Sequence, residues 1–309
     1  MAPVSRHRTP LRYPGGKQKL APFVDEILRA NDAVGWNYVE PYAGGAGVAM
    51  QLLLADRVRR VYLNDSSPHV YAFWRSILRQ PEAFCQRISR CALNIATWRK
   101  HREVFRFPGE HDALDLGFST FYLNRCNRSG VLTAGVIGGL EQEGDWTIDA
   151  RFPRKELIKR IEAIAEYASR IVVSNQDAEA FLVGKVNSLP AQTLVYCDPP
   201  YFARAERLYL DHYEPDDHVR LANVIQSKLK RPWLVSYDGH SSILSLYGKR
   251  RHFLYSLHYS AMRSYAGAEV FVFSDDLNIP RTSDLSYVAP VLEELPMNVA
   301  RRRRALAVR

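Results

Sequence analysis

The sequence predicts an α/β protein built on a doubly wound, mostly parallel sheet. Short apolar segments alternate with segments of helical periodicity at residues 38–65 and again at residues 154–247, a pattern typical of repeated strand–helix–strand units. A glycine-rich stretch stands at the first strand-to-helix turn, where proteins of this class bind ligands. With 47% hydrophobic residues in a chain of 309, a substantial core can be buried.

The elements of the predicted sheet follow one another in a regular order. The first unit is a strand at 38–39, a glycine loop at 40–47, a helix at 48–54 and a strand at 61–63. The remaining elements are a helix at 154–170, strands at 171–173 and 194–197, a helix at 217–229, a strand at 233–236, a helix at 241–247, and strands at 253–259 and 268–274 that form an antiparallel hairpin at the sheet edge.

Between residues 66 and 152 the alternation of strands and helices stops. Helical segments dominate to about residue 125, and a glycine-rich span follows at residues 130–144. We therefore predict a mainly helical inserted domain that carries a glycine-rich hairpin or loop. The predicted division is 1–68 and 153–280 for the α/β domain, 69–152 for the insertion and 281–309 for a C-terminal extension with a basic tail.

The composition favours a cytoplasmic protein with a polyanionic partner. The formal net charge is +9, and Lys and Arg side chains that face phosphates gain affinity by releasing counterions. Part of this excess lies in residues 301–304, which a solvated chain end explains equally well. There is no long apolar run and no export signal, and the four cysteines form neither a metal-spaced cluster nor a disulfide pattern. We expect no membrane contact and no metal.

The glycine loop at 40–47 predicts a ligand site at the amino end of a helix. Glycines let a ligand approach the backbone, and the first turn of a helix offers free N–H groups. A dinucleotide fingerprint is incomplete, because Met50 stands where its last glycine would be. Asp65, at the end of the second strand, is placed to accept hydrogen bonds from ribose hydroxyls, or alternatively to cap the following helix.

The run Asp198-Pro199-Pro200-Tyr201 follows the apolar strand at 194–197 and is the most informative stretch of the chain. Two prolines form a stiff turn, so an acid, fixed carbonyl groups and an aromatic ring lie at the carboxyl end of the predicted strand. Such acceptors beside a flat ring suit a planar amine. A simple strand exit capped by prolines is the alternative. Cys197 lies on the strand, which favours core packing over a role as nucleophile.

Five stretches of the chain, taken together, resemble the Dam-like, D12 class of DNA adenine-N6 methyltransferases. They occur in the order found in that family and span about residues 11–274. They are Tyr13-Pro14-Gly15-Gly16-Lys17, the run from Val39 to Gly47, Leu63-Asn64-Asp65, Phe121-Tyr122-Leu123-Asn124-Arg125, and Asp198-Pro199-Pro200-Tyr201. One departure is Tyr13, where a close relative carries Trp, although the aromatic character is kept.

The resemblance implies the Rossmann-like fold of class I methyltransferases and S-adenosylmethionine as the cofactor. Tyr13 and Lys17 would help to hold the cofactor, and the glycine loop would wrap its methionine end. Asp65 would hold the ribose, and Asp177 would contact the adenine. The implied cofactor residues are Tyr13, Lys17, Glu40, Gly44, Gly45, Gly47, Asp65, Asp177 and Asp198.

The resemblance also implies a reaction at adenine N6 in the catalytic domain. Asp198 and the Pro199 carbonyl would each accept one N6–H hydrogen bond, while Tyr201 stacks on the purine. The methyl group would pass by direct in-line displacement, with Asp198 orienting the amine rather than acting as a strong base. The adenine would have to be rotated out of the duplex.

The segment after Phe121-Tyr122-Leu123 is the predicted reader of double-stranded DNA. Arg can bind guanine through two hydrogen bonds and Asn can bind adenine in the same way, so Arg125, Asn127 and Arg128 are the candidates. Asn124 and Arg125 are equally explained by packing at a domain junction. The recognition sequence does not carry over from the family. We expect a monomer, associated with the nucleoid when bound to DNA, with a cognate restriction endonuclease as a further partner.

Two other functions stay open at this stage. One is a methyltransferase for RNA or for a protein amide, although Asn in place of Asp198 would have favoured the amide. The other is a cofactor- and DNA-binding module without turnover, against which the intact Asp198-Pro199-Pro200-Tyr201 motif argues.

Overall fold

The computed structural model describes residues 9–12, 17–202, 213–258, 266–280 and 293–294. Tyr13, one of the predicted cofactor residues, lies outside the described residues, as does the basic tail at 301–304.

In these residues eight strands form one sheet. Its order is β3-β2-β1-β4-β5-β7-β6-β8; the first five strands are parallel, and β7, β6 and β8 are antiparallel to their neighbours. This confirms the predicted mostly parallel sheet and the antiparallel hairpin, which two residues of β8 extend at the edge. The strands are β1 Asn37–Glu40, β2 Arg60–Asn64, β3 Ile171–Ser174, β4 Thr193–Cys197, β5 Trp233–Asp238, β6 His252–His258, β7 Ala266–Phe273 and β8 Glu293–Glu294.

The helices cover both faces of the sheet, as a doubly wound fold requires. Adjacent residues on a strand point to opposite faces, so Tyr38 joins the core beneath α1 and α2 while Val39 joins the core beneath α8, α9 and α10. The helices are α1 Ala21–Ala30, α2 Gly47–Leu54, α3 Pro68–Arg79, α4 Pro81–Arg90, α5 Ile95–Arg106, α6 Ala113–Cys126, α7 Arg154–Ala165, α8 Ala178–Val183, α9 Pro215–Ser227 and α10 Ser241–Leu246.

The insertion contains helices α3 to α6 followed by an irregular loop. Its aromatic side chains pack on one another, with the parallel rings of Phe73 and Phe121 6.1 Å apart, and they belong to the same hydrophobic cluster as Tyr38 on β1. The glycine-rich span is a loop rather than a hairpin of regular strands, with one isolated antiparallel bridge between Asn127 and Val136. The division of the chain into domains at residues 68 and 152 stays a prediction.

The carboxyl ends of the parallel strands bring acidic residues together on one side of the sheet, which we call its acidic edge. Because the carboxyl ends of parallel strands lie together, Glu40 of β1, Asp65 after β2 and Asp198 after β4 meet there. Strand β7 runs the other way, so its Glu269 pairs with Asp238 at the carboxyl end of β5 and reaches the same edge. Over the described ranges there is no helix capable of crossing a bilayer and no cluster of side chains suited to a metal ion.

Candidate active site

The glycine loop between β1 and α2 is fixed by hydrogen bonds at both of its ends. Gly44 has a positive φ of 44°, a conformation that favours glycine, and its N–H donates to Asp65 Oδ2 at 2.8 Å. Its carbonyl accepts from the Trp74 indole at 2.9 Å, and the Gly45 carbonyl accepts from the Thr9 hydroxyl at 2.5 Å. The loop is therefore held in one conformation in the free chain.

Gly47, another predicted cofactor residue, opens α2 and lies against Gln18. A Cβ added at Gly47 would stand 2.9 Å from the Gln18 Cβ, so glycine allows the segment after Tyr13 to pack on this helix. The structure thus supplies a packing reason for this glycine. Its predicted contact with a cofactor stays a prediction.

Asp65 links the loops that follow β1 and β2. Besides the bond to Gly44, its Oδ1 accepts from the Ser67 N–H at 3.0 Å. Ser67 occupies the N-cap position of α3, without a capping bond from its side chain, so the alternative interpretation of Asp65 as the N-cap residue is wrong. These two bonds fix the Asp65 carboxylate at the carboxyl end of β2, and its predicted contact with a ribose stays a prediction.

Glu40 is a buried carboxyl group at the end of β1. Its Oε1 accepts from the Ala49 N–H at 2.9 Å in the first turn of α2. Burial, with a smaller contribution from the nearby Asp198, raises the pKa of Glu40 to about 8 despite this hydrogen bond. A carboxyl group in this state gains from a cationic ligand, because a positive charge restores its ionised form.

Asp198 has one carboxylate oxygen held by its neighbours and one that no described residue engages. Ser236 Oγ on β5 donates to Oδ1 at 2.7 Å, and Lys17 Nζ lies 3.4 Å from the same oxygen. Since the single Ser236 proton is used, the Tyr196 hydroxyl must donate to Ser236, at 2.8 Å. None of the described residues bonds to Oδ2, and 28% of the Asp198 side chain is exposed. Burial raises the pKa of Asp198, whereas Lys17 and Ser236 act against this rise.

A second buried carboxylate, Glu269 on β7, completes the cluster and was missed by sequence reasoning. Lys17 forms an ion pair with Oε2, the Tyr201 hydroxyl donates to Oε1 at 2.9 Å, and the Tyr255 hydroxyl donates to Oε2 at 2.5 Å. Burial alone would lower the pKa of Lys17, but Asp198, Tyr255 and Glu269 raise it well above its usual value. The only sequence signal is a lone acid within an apolar strand.

Two further members of the proline motif, Pro199 and Tyr201, are buried. Tyr201 is 5% exposed, and its ring centroid lies 5.1 Å from Lys17 Nζ. Pro199 is also buried, and within the described ranges no donor reaches its carbonyl oxygen. The structure therefore brings Asp198, Pro199, Tyr201 and Lys17 together, with the phenol ring enclosed by protein in the free chain, and their catalytic and cofactor-binding roles stay predictions.

Asp177 follows β3 and is exposed. Its side chain caps α8 by accepting from the Ala180 N–H at 2.9 Å. The neighbouring loop is tied to β2 by Asn64, which donates to the Gln176 carbonyl and accepts from the Gln176 N–H. These bonds place Asp177 near the loop of Asp65. The contact with a cofactor adenine stays a prediction.

The end of α6 holds the three predicted DNA contacts in different environments. Asn127 is fully buried; its amide donates to the carbonyls of Val131 and Leu132, and its oxygen accepts from the Trp98 indole at 2.8 Å. Arg125 is 7% exposed and donates to the Arg151 carbonyl. Arg128 is exposed, so it is the candidate best placed to meet an external partner.

Asn124, also at the end of α6, binds the segment that precedes Tyr13. It accepts from the Arg12 N–H and donates to the Arg12 carbonyl, both at 2.7 Å, and it donates to the Gly130 carbonyl at 2.8 Å. The alternative reading of this residue as a junction contact agrees with these bonds. A side chain with all of its hydrogen-bonding groups engaged inside the protein has a structural role there.

The sequence and structure of this chain are similar to those of known methyltransferases. A curated relative, the Retron Ec67 DNA adenine methylase of Escherichia coli, is 29% identical over 251 residues, which are 79% of this chain and 82% of that protein. A Listeria monocytogenes structure, described as a class I S-adenosylmethionine-dependent methyltransferase, matches 85% of this chain and 62% of its own at 10% identity and a TM-score of 0.36. A methyltransferase structure from Escherichia coli matches 85% of this chain and 90% of its own at 10% identity and a TM-score of 0.31. Scores this low support no inference.

The decisive match is to a family model. The model of the D12 class N6 adenine-specific DNA methyltransferases matches residues 13–263, which include both the glycine loop and the acid–proline–proline–tyrosine motif. This chain therefore belongs to the D12 class of N6 adenine-specific DNA methyltransferases.

Proposed function

We propose that this enzyme transfers a methyl group from S-adenosylmethionine to N6 of an adenine rotated out of double-stranded DNA, in one in-line displacement. The observation that carries the proposal is the state of Asp198. One oxygen is held by Ser236 and Lys17, and the other is available at the sheet edge that also holds Glu40 and Asp65.

The residues at this edge fit a cofactor that carries two positive charges and two ribose hydroxyls. Glu40 has a buried carboxyl group that a cation would stabilise in its ionised form, so it suits the amino group of the methionine part. Asp65 is a fixed carboxylate at the end of β2 and is the acceptor that we assign to the ribose, with the Gly44 to Gly47 loop lying between it and Glu40. The cofactor supplies an activated methyl group on its sulfonium. Tyr13, Lys17 and Asp177 complete the proposed set of contacts.

Asp198 and Pro199 orient the adenine amine. The N6 lone pair of adenine is delocalised into the ring, so the amine must be held with its lone pair directed at the methyl group. Asp198 Oδ2 accepts one N6–H and the Pro199 carbonyl accepts the other, since neither oxygen is engaged by another described residue. The developing positive charge on N6 is stabilised by the Asp198 carboxylate, and the N6 proton that becomes acidic as the methyl group is transferred passes along its hydrogen bond to Asp198 Oδ2 and then to solvent.

Tyr201 provides the surface on which the adenine ring stacks. Its position is fixed by the bond to Glu269 and by Lys17 over the ring. Because the ring is 5% exposed in the free chain, the residues that cover it must move aside when the base binds. Rotating a base out of a duplex costs a few kcal/mol, which the stacking and the two hydrogen bonds to N6 offset.

DNA reading belongs to residues 69–152 in this proposal. The net charge of +9 favours a polyanion, and the exposed Arg128 is the side chain that we assign to a base edge. Arg125 and Asn127 hold the shape of this region through their internal bonds, which supports an indirect contribution to DNA binding.

A methylation experiment tests the proposal. Unmodified plasmid is incubated with the protein and S-adenosylmethionine, and modified bases are mapped by direct sequencing, with Asp198→Ala as the inactive control. We expect N6-methyladenine in one sequence context. Methyl incorporation into RNA alone would contradict the choice of substrate. Tight cofactor and DNA binding without incorporation would instead show a binding module without turnover.

A further inference from the structure

Glu269 is a buried charge in an otherwise apolar strand. Its side chain is 3% exposed and is followed on β7 by Val270 and Phe271, both in the core. Placing a carboxylate in such surroundings is costly unless it is paired and hydrogen bonded. The strand itself would be served as well by an apolar residue, so the acid requires a separate explanation.

Every described partner of Glu269 belongs to or adjoins the active site. Tyr201 lies 68 residues away in the chain and Lys17 lies 252 residues away, and both also contact the Asp198 region. Tyr255 on the neighbouring strand donates the third bond from the side of the sheet. The carboxylate thus joins three elements at the point where the adenine is proposed to bind.

Lys17 lies between two acids, and its position decides the state of Asp198. Its ammonium forms the close ion pair with Glu269 and stands at the longer distance of 3.4 Å from Asp198 Oδ1. An ammonium that moved fully onto Asp198 could engage both carboxylate oxygens. The Oδ2 atom would then be lost as an acceptor for an amine.

We propose that Glu269 is a positioning residue for the methyl transfer. It draws Lys17 away from Asp198 Oδ2, so that one carboxylate oxygen is kept for the adenine amine, and it tethers the Tyr201 ring, so that the ring stays in position when the residues that cover it move aside. The inference rests on the proposed function, because it assigns Asp198 and Tyr201 to the substrate base.

The charges around Asp198 give the proposal a pH signature. The described groups that face this carboxyl are Lys17 before α1, Tyr38 and Glu40 on β1, Tyr196 and Cys197 on β4, Ser236 on β5 and Glu269 on β7. Burial is the main cause that raises the pKa of Asp198, and the negative charge of Glu269 adds to it. Neutralising Glu269 therefore makes Asp198 easier to ionise.

The test is Glu269→Gln, which keeps the size of the side chain and an acceptor for Tyr201 but removes the charge. We expect kcat to fall at least tenfold, while KM for DNA and for the cofactor stays within about threefold. We also expect the acidic limb of the kcat–pH profile to move to lower pH. Asp25→Asn is the matched control, since Asp25 pairs with Arg29 and Arg57 away from the site, and it should leave kcat and the profile unchanged.

The outcomes separate this inference from the proposed function. Absence of adenine methylation by the wild-type protein defeats the proposed function. Methylation by the wild type with an unaltered kcat and pH profile in Glu269→Gln overturns the role of Glu269 alone. Should thermal unfolding show that this variant does not fold, Tyr201→Phe keeps the carboxylate and loses only the tether. It should lower kcat several-fold without moving the acidic limb, and an unchanged kcat would overturn the tether.

Discussion

The acidic edge of the sheet and the carboxyl end of α6 both carry polar residues in or next to stretches that resemble the family, but the two regions use those residues in opposite ways. At the edge, Asp198 keeps an oxygen that no described residue engages, although the group is largely enclosed. At the end of α6, the side-chain amides of Asn124 and Asn127 donate to backbone carbonyls, and the Asn127 oxygen accepts from the Trp98 indole.

The difference separates residues that perform chemistry from residues that hold the structure around them. We call the end of α6 and the loop at 127–136, with their internal hydrogen bonds, the frame. A buried polar group without a hydrogen-bond partner costs free energy. Such a group is retained where a ligand will supply the missing partner. A polar group with every bond made internally stabilises one conformation of a loop. The two regions therefore predict losses of different kinds when a side chain is removed.

The largest effect is expected at Asp198. In Asp198→Ala the adenine amine loses its charged acceptor, and we expect the methylation rate to fall roughly a thousandfold or more, about 4 kcal/mol in the barrier. Cofactor affinity, measured by calorimetry, should stay within a few-fold of wild type, because Glu40 and Asp65 remain. Turnover at the wild-type rate would remove the basis for treating the acidic edge as the site of chemistry.

Asn127→Ala is expected to damage the frame instead. The variant leaves the Trp98 indole and two loop carbonyls without their partner, so the free energy of unfolding should fall by about 3 kcal/mol, measured by urea denaturation. Asn187→Ala is the matched control, since Asn187 makes two such bonds at a partly exposed position and should cost less than half as much. A stable Asn127→Ala with altered DNA preference would make this amide a reader of DNA.

Glu40 gives a pH-dependent effect of intermediate size. Its pKa is raised from 4.5 to about 8 in the folded protein, so the folded state holds the proton more tightly than the unfolded state. The stabilisation is complete below about pH 4.5 and is lost as the pH rises through 8. Glu40→Gln cannot ionise, so its free energy of unfolding minus that of the wild type should rise by about 2.6 kcal/mol between pH 6 and pH 9, measured by thermal unfolding without cofactor. An advantage independent of pH would contradict the raised pKa.

The sequence predicted those features that consist of one contiguous run. The strand expected at 233–236 is Trp233–Asp238, and the glycine loop and the proline motif lie at the ends of β1 and β4 as expected. In such runs the backbone conformation and the functional groups are set by neighbours in the chain. Periodicity and turn chemistry therefore suffice to place them.

The same reasoning did not find Glu269 or Ser236, and it gave Asn127 an external role. The function of Glu269 depends on Lys17 at a separation of 252 residues, which no local pattern contains. For Asn127, the sequence shows an amide near a basic residue, but only the path of the loop at 130–136 decides whether the amide meets carbonyls or solvent. Long-range pairing is where sequence patterns stop being informative.

Arg128 differs from Asn124 and Asn127, because it lies at the same end of α6 but its side chain is exposed. Its backbone N–H donates to the Gly135 carbonyl and its guanidinium lies against Gly135, so the backbone is fixed while the side chain as a whole stays exposed to a partner. Arg128→Ala should leave the free energy of unfolding within about 0.5 kcal/mol. It should relax sequence preference at one base by roughly tenfold, about 1.4 kcal/mol, the lower end for a bidentate contact. Methylation of a randomised DNA pool, read by sequencing, measures this preference. A uniform loss over all sequences, with a weaker dependence on salt, would mean that Arg128 contacts a phosphate and that the base reader lies elsewhere.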